Sequence, residues 1–391
     1  MKKRIMLIVP MLHQGGFERI CVMTARLLSD YADVTVVVFS KEDLAFDISG
    51  LSVIDLGLQS REGKLGKILN VIKRGRALTR LQKKLKTDIS YSFGMTANIA
   101  NAVSFGAGKK IAACHSFEEI WKKGYMKLIS RFCDTVLCCS KKMADMVEKT
   151  YGFQNIVPLW NPCDIEGIQA QCRKTEGEDL SFFQTSDKVL VSMGREDDIK
   201  GFWHLLKVFR RITEEMPDTR LAVVGDGLFT EYKELAQKLD LEEKIRFTGL
   251  KKNPFPYLAK SQVYLLTSLS EGLPNALVEA LALSVPVVSV NCKSGPAEIL
   301  HADWQTAEKE TEVFWADFGI LTPELAPEKS MEVSIRDGKV CLEEAEEQLA
   351  GAVLSLLRQP DLYEKYKKAG PIRAQAFSEE SYFKGLIKCM E

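Results

Sequence analysis

No apolar run in this chain approaches the roughly 20 residues needed to span a bilayer, which argues against a membrane-embedded protein. The start, Met1-Lys2-Lys3-Arg4 before a short apolar run, could suggest a signal peptide. That run stops at Pro10 and lacks a small-residue cleavage site, so a buried first strand is expected there instead. Ten cysteines are scattered through 391 residues with no CxxC spacing and no Cys/His cluster, and Cys138-Cys139 are adjacent rather than spaced. This excludes a structural zinc site and a disulfide scaffold, and predicts reduced, mostly buried thiols in a cytoplasmic protein. Short-period repeats and low-complexity tracts are also missing, and histidine is scarce at four residues, so each one has to be weighed singly.

Net charge is missing as well, with 53 basic and 53 acidic residues, but the balance hides an asymmetry. Residues 1–165 hold 25 basic and 15 acidic side chains, a surplus of ten positive charges that the remainder cancels. A basic first half suits an anionic lipid leaflet or an anionic acceptor, or is simply a solvated surface. Its most basic stretch, residues 65–85, has Ile68, Leu69, Ile72, Leu78 and Leu81 near helical spacing among Lys67, Lys73, Arg76 and Arg80. Peripheral contact with an anionic membrane is therefore expected, and a nucleic-acid partner is not.

What is present is a twice-repeated β/α rhythm. Short β-branched runs at 5–10, 34–39, 88–93, 110–114 and 135–139 alternate with helical patterns. Such units imply a doubly wound parallel sheet. The pattern pauses near Asn161-Pro162, and the polar residues 164–186 read as a linker. It restarts with strands at 188–193, 220–224, 245–248, 262–266 and 285–290. Residues 304–343 are acidic and irregular, an apparent elaboration, and two amphipathic helices at about 342–358 and 361–377 follow. The length fits two domains. The expected fold is α/β with two Rossmann-like units, bounded at 1–165 and 166–364, and a terminal segment 365–391.

The strongest chemical signal is Ser270-Glu271-Gly272-Leu273-Pro274-Asn275-Ala276-Leu277-Val278-Glu279. Pro274 suits a first helical turn. The amides around Asn275, Ala276 and Leu277 would then face a phosphate with the helix dipole behind them. Gly272 lets a ligand approach the main chain. Glu271 before the helix and Glu279 in its second turn can both face one cleft and accept hydrogen bonds from sugar or ribose hydroxyls. Gly194-Arg195 and Lys200-Gly201 offer fixed cations for a diphosphate leaving group, which stabilise a transition state more than a ground state. Glu196-Asp197-Asp198 lie between them and offer the same cations internal partners. Asp197-Asp198 and Asp226 do not complete an Asp-x-Asp metal motif, so no metal and no cofactor is expected. Gly15-Gly16 follow the first strand but form no G-x-G-x-x-G fingerprint, which disfavours nicotinamide binding. His115 ends the strand at 110–114, where open α/β sheets place ligands, and His13 lies beside the glycine loop.

The Glu271…Glu279 pair, spaced E-x7-E and followed by Pro286-Val287-Val288-Ser289, resembles the signature of the retaining GT-B glycosyltransferases of family GT4. Gly15-Gly16-Phe17-Glu18-Arg19, Asn161-Pro162-Cys163-Asp164 and Gly225-Asp226-Gly227 are similar to further motifs of that family. So is the run from Asn291 to Leu300, which resembles members that build capsule, exopolysaccharide and lipid-linked glycans. The resemblance covers residues 4–300. It implies two domains across a donor cleft, the first binding a lipid-linked or glycan acceptor and the second a nucleotide sugar, UDP before GDP. It also implies a last helix that crosses back to the first domain. Glu279 would hold the ribose, Glu271 the sugar hydroxyls, Arg195 and Lys200 the diphosphate, and His115 would face the donor sugar. Retention of configuration is implied in the same way. The alternatives are a UDP-sugar epimerase and a non-catalytic GT-B subunit of a polysaccharide assembly complex.

Overall fold

The computed structural model describes residues 2–42, 44–59, 63–183 and 188–391. The chain divides into two compact units, Met1–Pro162 with Glu379–Glu391, and Cys163–Ser378. The first holds a seven-stranded sheet in the order β3-β2-β1-β4-β5-β6-β7. Its strands are β1 (Arg4–Val9), β2 (Asp33–Val38), β3 (Ser52–Asp55), β4 (Ile89–Phe93), β5 (Lys109–Cys114), β6 (Thr135–Cys138) and β7 (Ile156–Pro158). All its pairings are parallel. Strands covered by helices on both faces must be apolar on both, and the runs Ile5–Val9 and Val36–Val38 are buried throughout.

Strand β4 shows how one sequence serves two faces. Ile89, Tyr91 and Phe93 join the apolar core, while Ser90 and Ser92 meet a buried polar layer under the helix Met95–Ala102. There the Ser92 hydroxyl donates to Asn98 Oδ1 at 2.7 Å, and the Asn98 amide donates to the Ala113 carbonyl and Tyr125 hydroxyl, each at 2.7 Å. The side-chain alternation of a strand and the complete pairing of these buried groups let polar residues sit in the interior.

The second unit repeats the topology as β10-β9-β8-β11-β12-β14-β13. Its strands are β8 (Lys188–Met193), β9 (Thr219–Val224), β10 (Ile245–Gly249), β11 (Val263–Leu266), β12 (Val287–Val290), β13 (Phe314–Trp315) and β14 (Ile320–Thr322). Parallel pairing holds through β14, which in turn pairs antiparallel with β13. The core of this unit is dominated by the helix Phe202–Glu215, whose Phe202, Trp203, Leu206, Phe209 and Ile212 are fully buried.

Several expectations need correction. The polar segment 164–186 is folded rather than a linker: it forms the helix Ile165–Gln171 and buries Ile165, Ile168, Phe182 and Phe183 in the second unit (residues 184–186 lie outside the described residues). The acidic segment 304–343 supplies β14, a buried strand of the main sheet that three residues are too few to announce. The chain returns to the first unit at Glu379, not at 365, because the helix Pro360–Ala374 packs its Gly370 against Leu281 of the second. The returning helix Glu379–Met390 buries Tyr382, Leu386 and Met390, one per helical turn. The Tyr382 hydroxyl lies 2.9 Å from Thr24 Oγ1 and 3.3 Å from the Tyr91 hydroxyl.

Leu386 is fully buried at the end of the chain. Leu386→Ala should destabilise the protein by about 2–5 kcal/mol in chemical denaturation. Ile372→Ala, at a position 72% exposed, should stay within about 0.5 kcal/mol of wild type.

Candidate functional site

In both sheets the winding reverses beside one strand, between β1 and β4 and between β8 and β11. At such a point neighbouring loops run away from each other and leave a crevice at the carboxyl ends of the strands. The predicted residues gather there, but in two groups, one in each unit.

In the second unit, the loop after β8 carries Arg195 and Lys200, and the loop after β11 carries Glu271. Lys200 Nζ and Glu271 Oε1 meet across the reversal at 2.7 Å, their side chains only 22% and 13% exposed. Main-chain and hydroxyl bonds fix both loops. Leu269 N–H donates to the Ile199 carbonyl at 2.8 Å, and Thr267 Oγ1 donates to the Lys200 carbonyl at 2.9 Å. Ser294 Oγ donates to the Gly272 carbonyl, also at 2.9 Å. The loops after β8 and β9 press so closely that a Cβ on Gly225 would run into the Gly194 carbonyl, so the glycine there is a packing requirement.

The three intervening acids have separate partners. Asp197 holds Arg195, its Oδ2 2.9 Å from Nη2. Glu196 accepts from the Phe229 amide at 2.8 Å. Asp198 meets Lys329 Nζ at 2.8 Å, and Lys329 also reaches Glu231 at 2.7 Å. These two hydrogen-bonded carboxylates raise the Lys329 pKa. The acidic elaboration thus returns a cation to the loop and takes Asp198 as a partner. Arg195 itself is 71% exposed, beside Asp197 rather than Glu271.

The helix Asn275–Ala282 follows the Glu271 loop. Pro274 is its N-cap rather than its first residue, and no side chain caps it. Leu273 and Leu277 bury their side chains, and the Leu277 amide, expected to face a phosphate, instead donates to the Pro274 carbonyl at 3.0 Å; Asn275 and Ala276 are half-buried. Glu279 is buried in the second turn. Burial, and then the charges of Glu271 and Glu279, push the phenol of the buried Tyr264 of β11 upward. Behind the loop, His204 Nδ1 lies 2.6 Å from Glu346 Oε1, and Nε2 lies 2.9 Å from the Ala326 carbonyl. This buried pair ties the start of the helix Phe202–Glu215, next to Gly201, to the C-terminal part of the unit.

In the first unit, His115 follows β5 with its ring between those of Phe93 and Phe17, at centroid distances of 5.9 and 6.3 Å. Phe17 is the residue after Gly15-Gly16, so the glycine loop and His115 belong to one cluster. Both His115 nitrogens are shielded from solvent, and burial lowers the ring pKa to about 4 against the Asn161 amide, which raises it. Two buried carboxylates have no role assigned to them in the sequence. Glu18 is buried with Oε1 3.3 Å from His13 Nε2, and its carboxyl fills the space a Cβ on Gly15 would need (Cδ at 2.8 Å). Its signals were its place in the Gly15–Arg19 run and an acid in the first turn of a helix. Glu119, in the short helix Phe117–Ile120 that follows His115, is buried and lies 3.5 Å from the Tyr125 hydroxyl. Burial raises its carboxyl to about 7.

Comparison with known proteins follows this division. Residues 14–166 match the model described as Glycosyltransferase Family 4, and residues 176–307 match Glycosyl transferases group 1. An uncharacterised glycosyltransferase of Methanocaldococcus jannaschii is 36% identical over 68% of this chain and 67% of its own length. The chain is a family 4 glycosyltransferase. An N-acetylgalactosaminyltransferase of Campylobacter jejuni, acting on an N,N'-diacetylbacillosaminyl-diphospho-undecaprenol-linked sugar by its name, is 27% identical over 70% of this chain and 64% of its own. Among solved structures, the Anabaena protein HepE in complex with UDP and glucose covers 99% of this chain and 98% of its own, with a TM-score of 0.73 at 17% identity. That likeness is one of fold, the GT-B fold.

Two perturbed groups of the first unit, His115 and Glu119, act oppositely on the stability of this glycosyltransferase. His115 titrates lower folded than unfolded, so its contribution is present above about pH 6.5 and is lost as pH falls toward 4. Glu119 titrates higher folded, so its contribution is present below about pH 4.5 and is lost as pH rises through 7. Between these limits the two slopes oppose each other in wild type. Glu119→Gln removes one of them and should lose up to about 3 kcal/mol more than wild type on going from pH 7 to 4.5. Urea denaturation at both pH values measures this; equal losses would contradict a raised Glu119.

Proposed function

We propose that this enzyme moves a sugar from a nucleoside diphosphate, UDP in first place, to a lipid-linked or polysaccharide acceptor with retention of configuration, in the building of bacterial surface glycans. The observation that carries the reading is the Lys200–Glu271 pair across the β8/β11 reversal. It sets a cation for phosphate beside a carboxylate for sugar hydroxyls, in front of a helix start. The UDP named with HepE and the diphospho-undecaprenol named with the Campylobacter enzyme support the donor and acceptor classes.

In the proposed reaction the bond from the anomeric carbon to the leaving phosphate oxygen breaks. The bond to the acceptor hydroxyl oxygen forms on the same face, and the departing diphosphate takes the acceptor proton. Lys200, with Arg195 once drawn from Asp197, stabilises the charge growing on the two phosphates. Glu279 holds the ribose. His115 is neutral at pH 7 and takes no part as a cation. These fixed cations take the role that a divalent ion has in other transferases, and the reaction proceeds without metal. The chain works at the inner face of the membrane. On the helix Gly63–Leu85, Ile68, Leu69 and Ile72 are 57%, 43% and 42% exposed among Lys67, Lys73 and Arg76, a pattern suited to an anionic leaflet. No helix among the described residues is long and apolar enough to cross a membrane.

With UDP- and GDP-sugars, membrane lipid extract as acceptor and EDTA present, the enzyme should release nucleoside diphosphate from one donor. Lys200→Ala should slow turnover by about 10²–10³-fold. Turnover that stops with EDTA and returns with magnesium would refute the metal-free reading. Ile68→Ser/Ile72→Ser should reduce co-sedimentation with vesicles containing phosphatidylglycerol and leave binding to neutral vesicles unchanged.

A further inference from the structure

The Lys200–Glu271 pair has a property that its separate assignments do not explain. The carboxylate meant for the sugar lies on the cation meant for the phosphate, at 2.7 Å. The ammonium cannot withdraw easily, because its stem lies along Gly194, with Cγ, Cδ and Cε each 3.3 Å from where a Cβ on that glycine would sit. Thr267 and Ser294 hold the two loops from behind. With both side chains largely out of water, a diphosphate arriving at Lys200 would meet the Glu271 charge at close range with little screening.

Resting on the reading of Lys200 as the diphosphate cation, we infer that Glu271 is an internal stand-in for the donor's phosphate, and that donor binding exchanges one anion for the other on Lys200. The displaced carboxylate loses its partner. A sugar-bearing donor restores one, since the sugar hydroxyls donate hydrogen bonds to Glu271. A bare nucleoside diphosphate has its ribose hydroxyls, assigned to Glu279, but none from a transferred sugar, and it leaves the Glu271 carboxylate unpartnered beside two phosphates. The exchange therefore discriminates between donor and product: it weakens the nucleoside diphosphate more than the nucleotide sugar, and the ion pair re-forms as product leaves. Glu271 is in this sense a specificity residue whose effect is to favour the sugar-bearing nucleotide.

The consequence runs against the usual effect of removing a site residue. Titration calorimetry with UDP and with GDP on the full chain should show Glu271→Gln and Glu271→Ala binding the preferred nucleoside diphosphate more tightly, by about fivefold, while Lys200→Ala binds it more weakly. Glu279→Gln, which removes a carboxylate from the adjoining helix and not from Lys200, should not tighten it. Unchanged or weaker binding in both Glu271 variants, with Lys200→Ala still impaired, would overturn the exchange and leave Lys200 as the phosphate cation. Tightening of equal size in Glu279→Gln would also overturn it, by reducing the effect to general repulsion. Lys200→Ala binding as well as wild type would overturn both the exchange and the donor-site reading beneath it.

Discussion

The geometry of this enzyme depends on parallel strand pairing, which carries the connection between two paired parallel strands over a face of the sheet, and on a winding that reverses once in each unit. β1 and β8 are the strands beside which that happens. Their carboxyl ends are where two outgoing loops diverge, so polar main chain can stand open to a ligand without leaving a hole in the core. Gly15-Gly16 and His115 lie at one reversal, Arg195, Lys200 and Glu271 at the other. Nothing in the local preferences of these residues would bring them together; the winding does.

Around both reversals the protein supplies its own anions. Glu18 fills the space left by Gly15, Asp197 holds Arg195, Glu271 holds Lys200, and Asp198 is drawn off to Lys329. Cations gathered for a diphosphate repel one another, and nearby carboxylates offset that cost. The same carboxylates then compete with the ligand, so affinity is a difference between two sets of contacts rather than the sum of one. The buried His204–Glu346 pair and Lys329 make the C-terminal part of the second unit a frame for the loop after β8.

Much of this was legible in the chain. The β-branched runs of β1, β2, β8 and β9 and the amphipathic helix Phe202–Glu215 state their period plainly, and the E-x7-E string with its proline states a helix start. Pro274 fell one position outside the helix because a residue with a fixed φ fits the cap as well as the first turn. Segment 164–186 has the pattern of a linker because its apolar residues, Ile165, Ile168, Phe182 and Phe183, are few and far apart, and burial there is decided by what they meet. β14 is a three-residue strand whose place beside β12 no local pattern encodes.

By itself, then, the sequence determined the class of fold, the family, and which side chains have the chemistry for a diphosphate and a sugar, because periodicity and motif spacing are local properties. Only the tertiary structure decided which of those charges touch. Lys200 and Glu271 are 71 residues apart, His204 and Glu346 are 142 apart, and Lys329 reaches Asp198 from the acidic elaboration. Ion pairing falls off within a few ångströms, and distances of that kind between remote residues exist only once the sheet has closed the loops over its carboxyl edge.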